Sequence, residues 1–361
     1  MLASSYQRVR LWSGITAITL NLSMAWMLFA LAPVLQPLLP HWPFAALLAV
    51  CLAGGMLLLL PFELLMGHAV ERLVERSEQS LGRWLADWCR GAARYFVASL
   101  CGGLVFGYGA GLWWPWRVGF TFLLLAVCFF AGEYQSRLGP RSWRPAEGPD
   151  PDFDNDVRDA LAAMKHPPVR LRWIEDSDSF AANGFSIGPT FLAGDHETGL
   201  PAVGMTTSVV KYLTPHQAAL MAVREVFQHR AGFRRTALLI CLVWLLAGLA
   251  MIWSAPLVIG ALPALNSALL GMAIMTTWCF VALFVWPAWN RYWNRRADGF
   301  LLTHAPVEAV RELLILLQQL NATDIELPRR KSYIFHPIPP LADRLHSLSP
   351  NEPNPPPVVL P

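Results

Sequence analysis

Residues 213–229 read L-T-P-H-Q-A-A-L-M-A-V-R-E-V-F-Q-H, and both the fold and the function turn on this stretch. Thr214-Pro215 combines an N-cap hydroxyl with a proline in the first turn, a helix start signal. A helix running past His229 sets Arg224 beside Gln228 and Glu225 beside His229, because residues four apart are neighbours on a helix surface. Upstream, Val169, Leu171 and Trp173 alternate with Arg170 and Arg172, the pattern of a half-buried strand. Residues 185–187 and 202–206 read as further short strands, and Asp152 as the N-cap of a short helix through Met164. Downstream, a helix is expected from about Asn290 into Leu317. Strand pieces followed by helices make an α+β arrangement.

Long apolar runs flank this polar middle. The chain of 361 residues is 55% hydrophobic and 15% charged, with a mean hydropathy of +0.39. A soluble chain holds about 45–50% apolar and about 25% charged residues, so the excess marks membrane spans. At roughly 20 apolar residues per crossing, six spans are expected. They fall at 11–35, 44–66, 95–113, 118–131, 237–257 and 264–286, the fourth being short. Ala30-Leu31-Ala32 resembles a signal cleavage site, but the preceding apolar run exceeds a signal h-region, so the first run is read as a retained span.

Arginine placement orients the spans. Arg8 and Arg10 precede the first, Arg72, Arg76, Arg83, Arg90 and Arg94 lie between the second and third, and Arg137, Arg141 and Arg144 follow the fourth. Arg230, Arg234 and Arg235 precede the fifth, and Arg291, Arg295 and Arg296 follow the sixth. By the positive-inside rule, both termini and the polar middle face the cytoplasm of a cell with this protein in its inner membrane. Trp42, Trp113, Trp114 and Trp116 form an aromatic belt on the outer side. The expected organisation is a four-span membrane region at 1–136 with a cytoplasmic loop at 68–94, then a linker at 137–152. A cytoplasmic domain at 153–235 and 290–348 is interrupted by two spans at 236–289, and a Pro-rich tail covers 349–361. The net charge of +3 is small and scattered, which argues against nucleic acid as a partner. Cys51, Cys101, Cys128, Cys241 and Cys279 lie in apolar runs and Cys89 stands alone, with no metal or disulfide spacing.

The segment 213–229 resembles the active-site helix of the CAAX prenyl endopeptidase and HtpX group of membrane zinc metallopeptidases, L-T-P-x-E-L-x-A-V-L-A-H-E-L-G-H. The ungapped match sets Arg224 at the first zinc histidine, Glu225 at the catalytic glutamate and Gln228 at the second histidine. Pro61-Phe62-Glu63 and residues 70–91 resemble the family's cytoplasmic loop after the second span. Residues 290–300, N-R-Y-W-N-R-R-A-D-G-F, resemble S-R-x-x-E-x-x-A-D-x-F, with Asn294 where the third ligand, a glutamate, belongs. His336-Pro337-Ile338-Pro339-Pro340-Leu341 with Arg344 resembles the closing H-P-P-x-x-x-R motif, and Ala182-Asn183-Gly184-Phe185 the substrate-edge segment. The resemblance implies a polytopic α-helical membrane protein with a cytoplasmic α+β zincin-like metallopeptidase domain. Asn183 would then stand where an extended peptide adds as a strand; its simpler reading is a turn residue before Gly184.

The departures bear on activity. Zinc sites take neutral imidazole, thiolate or carboxylate. Arg224 is a permanently protonated donor, Gln228 is a poor ligand and Asn294 lacks a carboxylate. All three ligand positions are degenerate, whereas Glu225, Arg291, Asp298, His336 and Arg344 match the family. Without the metal no water is activated for Glu225 to deprotonate. No zinc or other cofactor is therefore expected, and the leading reading is a pseudopeptidase that binds a protein partner or serves a membrane complex. Membrane lipids are further expected partners. Arg224, in place of the metal cation, is expected to pair with Glu225 or Asp298. Two alternatives stay open: an active zinc metalloendopeptidase with a relocated site on Glu225, His229 and His336, and a lipid- or prenyl-chain-binding protein. The other histidines, His196, His216 and His304, read as surface residues, and Glu63 and Glu133 as solvated acids at span ends.

Overall fold

The structure, a computed structural model, describes residues 3–73, 77, 79–109, 114–138, 144–145, 151–175, 184–187, 202–260, 262–321 and 338–348. The chain divides into two compact units. One comprises Met1–Gln7, Phe130–Leu239 and Leu283–Pro361, the other Arg8–Phe129 and Ile240–Ala282. Asn183, His196, His336 and the Pro-rich tail lie outside the described residues.

The first unit is built on a four-stranded sheet. Its strands are β1 (Arg144–Pro145), β2 (Arg170–Glu175), β3 (Gly184–Ile187) and β4 (Ala202–Thr206), in spatial order β1-β2-β4-β3. β2 and β4 run parallel, with Leu171 opposite Val203 and Trp173 opposite Met205, and the outer strands pair antiparallel. The alternation in β2 has its expected result: Leu171 and Trp173 are buried, Arg170 and Arg172 half-buried. β4 is buried at all five positions, so it is the centre of the sheet. Against the sheet lie α6 (Pro151–Ala163), α7 (Ser208–Tyr212) and α8 (Pro215–Arg230). One apolar core joins Val157, Leu161, Leu171, Val203, Met205, Leu220 and Val223 to Leu313 and Leu314 of α11 (Val307–Leu320) and Leu341 and Leu345 of α12 (Leu341–Leu348). The helix expected to be capped by Asp152 begins two residues earlier, with Pro151 in its first turn and Asp152 inside it.

The second unit holds most of α1 (Ala3–Leu38), α2 (Phe44–Leu64), α3 (Val70–Leu73), α4 (Leu81–Gly109) and α5 (Trp114–Leu138). It also holds the apolar parts of α9 (Phe233–Ile259) and α10 (Ala264–Leu301). Among the described residues, four helical stretches are long and apolar enough to cross a membrane: Leu11–Leu38, Phe44–Leu73, Phe233–Ile259 and Ala264–Leu301. The other two expected spans fall on α4 and α5. The first half of α4 carries Arg83, Asp87, Arg90 and Arg94, and α5 has a shorter apolar stretch at Trp116–Val127. Between α2 and α3 a π-helical turn, Leu65–Ala69, buries His68 against Trp84. Glu63, expected to be solvated, is half-buried and accepts a hydrogen bond from the indole N–H of Trp88. α10 also differs from expectation. No separate helix starts at Asn290; the span continues unbroken through Pro287 to Leu301, and Pro306 then opens α11.

Small residues bring the apolar helices together. Trp244 of α9 and Trp278 of α10 stack with centroids 4.2 Å apart, and each indole donates to the other's backbone carbonyl, at 3.3 and 2.8 Å. Gly248 makes room for this clasp: a Cβ there would stand 2.7 Å from Trp278 Cδ1 and 3.2 Å from Met275. Trp278, held by stacking and two hydrogen bonds, cannot yield cheaply. Gly248→Ala is expected to lower stability by about 1–3 kcal/mol, the usual cost of overpacking. Thermal unfolding of the detergent-solubilised variant checks this, and an unchanged midpoint contradicts it.

Candidate functional site

The capping signal in the sequence forms as a capping box. Gln217 N–H donates to Thr214 Oγ1 at 3.3 Å, Thr214 N–H donates to Gln217 Oε1 at 3.1 Å, and Pro215 opens the helix. Residues 218–223 and Val226 then bury α8 in the core. This fixes the register, so Arg224 and Glu225 stand at a buried edge facing α10 and α12.

There the Arg224 guanidinium is enclosed on three sides. Its Nε donates to Asp298 Oδ1 at 3.3 Å, its Nη1 to Glu225 Oε1 at 3.2 Å, and its Nη2 to Asn294 Oδ1. Asn294 and Asp298 are four apart on α10, one face of that helix, and the Asn294 amide also donates to the Asn290 carbonyl at 2.8 Å. From α12, Arg344 grips Asp298 through both oxygens, Nε to Oδ2 at 2.7 Å and Nη2 to Oδ1 at 2.8 Å. The Asp298 side chain is 1% exposed and that of Arg344 6%. Three helices distant in sequence are thus tied by one carboxylate between two guanidinium groups, with bidentate geometry on one side.

Glu225 is buried at the edge of this lattice. Burial raises its carboxyl above the usual range, against the opposing pull of Arg224 and Arg234 and of the Arg224 hydrogen bond. Gln228, one turn after Arg224, is half-buried and forms no hydrogen bond among the described residues. Arg291 is buried on α10, and His229 is half-buried on α8. The structure therefore brings Arg224, Glu225, Asn294, Asp298 and Arg344 together; His336 and Asn183 are outside the described residues. Among the described residues no group of three or more His, Cys, Asp and Glu side chains is placed to hold a metal ion. A guanidinium saturated with acceptors offers no lone pair to one.

Sequence reasoning missed a second buried group. His166 is 7% exposed, its Nδ1 is 2.8 Å from the Pro167 carbonyl, and its ring lies 5.6 Å from that of His304. Burial lowers its pKa, helped by His304 and Arg230 and opposed by the Pro167 contact. His304, expected at the surface, is half-buried, hydrogen-bonded to Thr303 Oγ1 at 2.7 Å and tilted over Phe300. The His-Pro and Thr-His neighbours carry no periodic signal that would have joined them. His216, by contrast, is exposed in the first turn of α8.

The lattice predicts a ranking. Asp298→Ala leaves the buried Arg344 and the half-buried Arg224 guanidinium groups facing one another and is expected to cost about 3–5 kcal/mol, as when a buried pair loses one partner. Arg224→Ala leaves Asp298 in the grip of Arg344 and is expected to cost less, about 1–3 kcal/mol. Thermal denaturation of both variants checks the order, and wild-type stability of either contradicts it. Glu225 adds a pH dependence. The folded state holds its proton more tightly than the unfolded chain does, so its contribution is complete below the usual glutamate range. That contribution is lost as pH rises through the raised value. Glu225→Gln is expected to flatten this part of the stability–pH curve, and an unchanged slope would remove the assignment.

No protein-family model matches the chain, and no curated protein matches it in sequence. In three dimensions it is similar to the crystal structure of S. mikatae Ste24p, with a TM-score of 0.64 at 14% sequence identity. The match covers 90% of this chain and 80% of that one. Identity this low speaks to fold alone. Together with the apolar helices, it makes the chain a polytopic, membrane-embedded protein with a Ste24p-like fold.

Proposed function

We propose that this protein is a non-catalytic relative of the membrane prenyl endopeptidases, one that keeps their architecture for binding a protein or peptide partner at the cytoplasmic face of an inner membrane. Ste24p is a CAAX prenyl protease, the group that the sequence motifs resemble, so fold and motifs point the same way. One observation carries the reading of inactivity. The side chain at the first zinc-ligand position is a guanidinium whose three nitrogens are engaged by Asp298, Glu225 and Asn294. The fixed cation of Arg224 does the structural work of a metal ion there, drawing α8 and α10 together. It leaves no place for Zn²⁺ among the family ligand positions, and the residues do not fit that group.

A zincin-like domain that no longer needs to open for water chemistry is free to serve as a rigid receptor. In this reading the edge strand β3, next to the expected substrate-edge residue Asn183, takes an extended segment of the partner. Positive charge near the span ends supports the cytoplasmic orientation.

The test is metal stoichiometry. Purified protein exposed to zinc and then exchanged into metal-free buffer is expected to retain close to none per chain by mass spectrometry. About one zinc per chain, lost in Glu225→Ala or His229→Ala, would overturn the proposal and call for peptidase assays.

A further inference from the structure

We infer that the basic cleft on α10 is a binding site for the phosphate of an anionic membrane phospholipid. A cavity of about 350 Å³ opens there, lined by Ala288, Arg291, Tyr292, Arg295 and Arg296. These positions are spaced three, four, seven and eight residues from Ala288, so they form one face of the helix. Three of the five are arginines and none is acidic. Positive-inside topology requires only that the basic residues follow the span; it does not require that they share a face or enclose a cavity.

The local contacts ready these groups for an anion. Arg296 lies over the rings of Trp293 and Tyr292, at 5.2 and 5.7 Å, and donates to the Tyr292 hydroxyl at 3.3 Å. It meets no carboxylate among the described residues. The Tyr292 oxygen accepts that bond, which leaves the phenol proton for an oxygen of the ligand. Arg295 has one acidic neighbour, Asp343, at 4.0 Å, with both side chains about half exposed. Two planar forks and a hydroxyl on adjacent turns match the tetrahedral oxygens of a phosphate group. On the same turns, Trp289 and Trp293 carry buried indole N–H groups without an acceptor among the described residues.

Position selects a lipid over free phosphate. The apolar run of α10 ends at Trp286. At ~1.5 Å per residue, Arg291 stands ~7 Å and Arg296 ~15 Å farther along the helix. A ~30 Å hydrocarbon core within roughly 40–45 Å in all leaves a headgroup layer of about 5–8 Å on each side. Arg291 stands at its outer limit. Arg295 and Arg296 lie just beyond, with long side chains that lean back toward the helix N-terminus and so toward that layer. A lipid phosphate there is present at high local concentration, with its chains running back along the apolar part of the same helix.

The experiment titrates full-length protein in detergent with phosphatidylglycerol, phosphatidylcholine or inorganic phosphate and counts bound ligand by native mass spectrometry. Wild type is expected to retain phosphatidylglycerol in preference to phosphatidylcholine. The double variant Arg295→Gln/Arg296→Gln is expected to lose about tenfold or more in apparent affinity, given that each basic residue near a lipid surface contributes several-fold. A control, Arg83→Gln/Arg90→Gln, removes two exposed charges from α4 and is expected to keep the preference. Equal retention of both lipids by wild type overturns the inference, as does an undiminished preference in a double variant that unfolds at the wild-type temperature. An equal loss in the control reduces the effect to net charge and also overturns it. Saturation by inorganic phosphate with no lipid preference assigns the cleft to a soluble anion instead.

Discussion

Removing a carboxylate from water costs several kcal/mol even after a protein relaxes around it, and only closely placed cations with good hydrogen-bond geometry offset that cost. Asp298 is such a carboxylate, fully buried where α8, α10 and α12 converge. Arg344 supplies the bidentate grip and Arg224 the second cation, so neither arginine is replaceable by apolar bulk alone. Their positions follow from one another: the capping box sets the register of α8, that register aims Arg224 at α10, and the spacing of Asn294 and Asp298 receives it. The apolar core can tolerate modest repacking, but the ion lattice has one geometry that satisfies all its groups. The packing of α12 on α11 and of α8 on the sheet is therefore tied to one aspartate.

Much of this was legible in the residues. Arg224, Gln228, Asn294 and Asp298 were set apart by their spacing and by the motifs around them, and β2 and β4 by their alternation and bounds. Capping at Thr214 was readable because its chemistry is local. What was hidden depends on contacts across the fold. Nothing in the string says that Arg344 reaches both oxygens of Asp298, or that Arg224 bonds to its own neighbour Glu225 as well as to α10. Tyr292 and Arg296 stood in plain view at helical spacing, yet the cavity that gives the spacing meaning exists only once the helix is folded. The unbroken course of α10 was missed for a simpler reason. Pro287 and the change from apolar to basic composition imitate an end, while the hydrogen-bond ladder tolerates the proline and continues.

That continuity gives α10 two faces with different chemistry on the same turns. Asn294 and Asp298 hold the lattice, Arg295 and Arg296 turn outward to the cleft, and the buried Arg291 lines the cleft from the border between the two sets. Interleaved in sequence, the two sets form adjoining strips of the helix surface, with Arg291 seven residues before Asp298 on their border. Substitutions at neighbouring positions therefore fall into opposite classes, with Asp298 internal and Arg296 exposed although only Ala297 lies between them.

The stacked Trp244–Trp278 pair has a consequence for how the chain assembles. Closing the contact between Arg224 and Asp298 means bringing together residues 74 apart in sequence, and in an open chain such a loop carries a substantial entropic cost. The tryptophan clasp joins residues only 34 apart, across the turn between α9 and α10. Once that hairpin has formed, Phe233 meets Trp293 farther from the turn, and Arg224 meets Asp298 beyond them. The three contacts are nested in sequence like the teeth of a zipper, so each one, once made, shortens the effective loop of the next. Behind the two inner contacts, the ion lattice has a far shorter effective loop to close than the separation of its partners along the chain suggests.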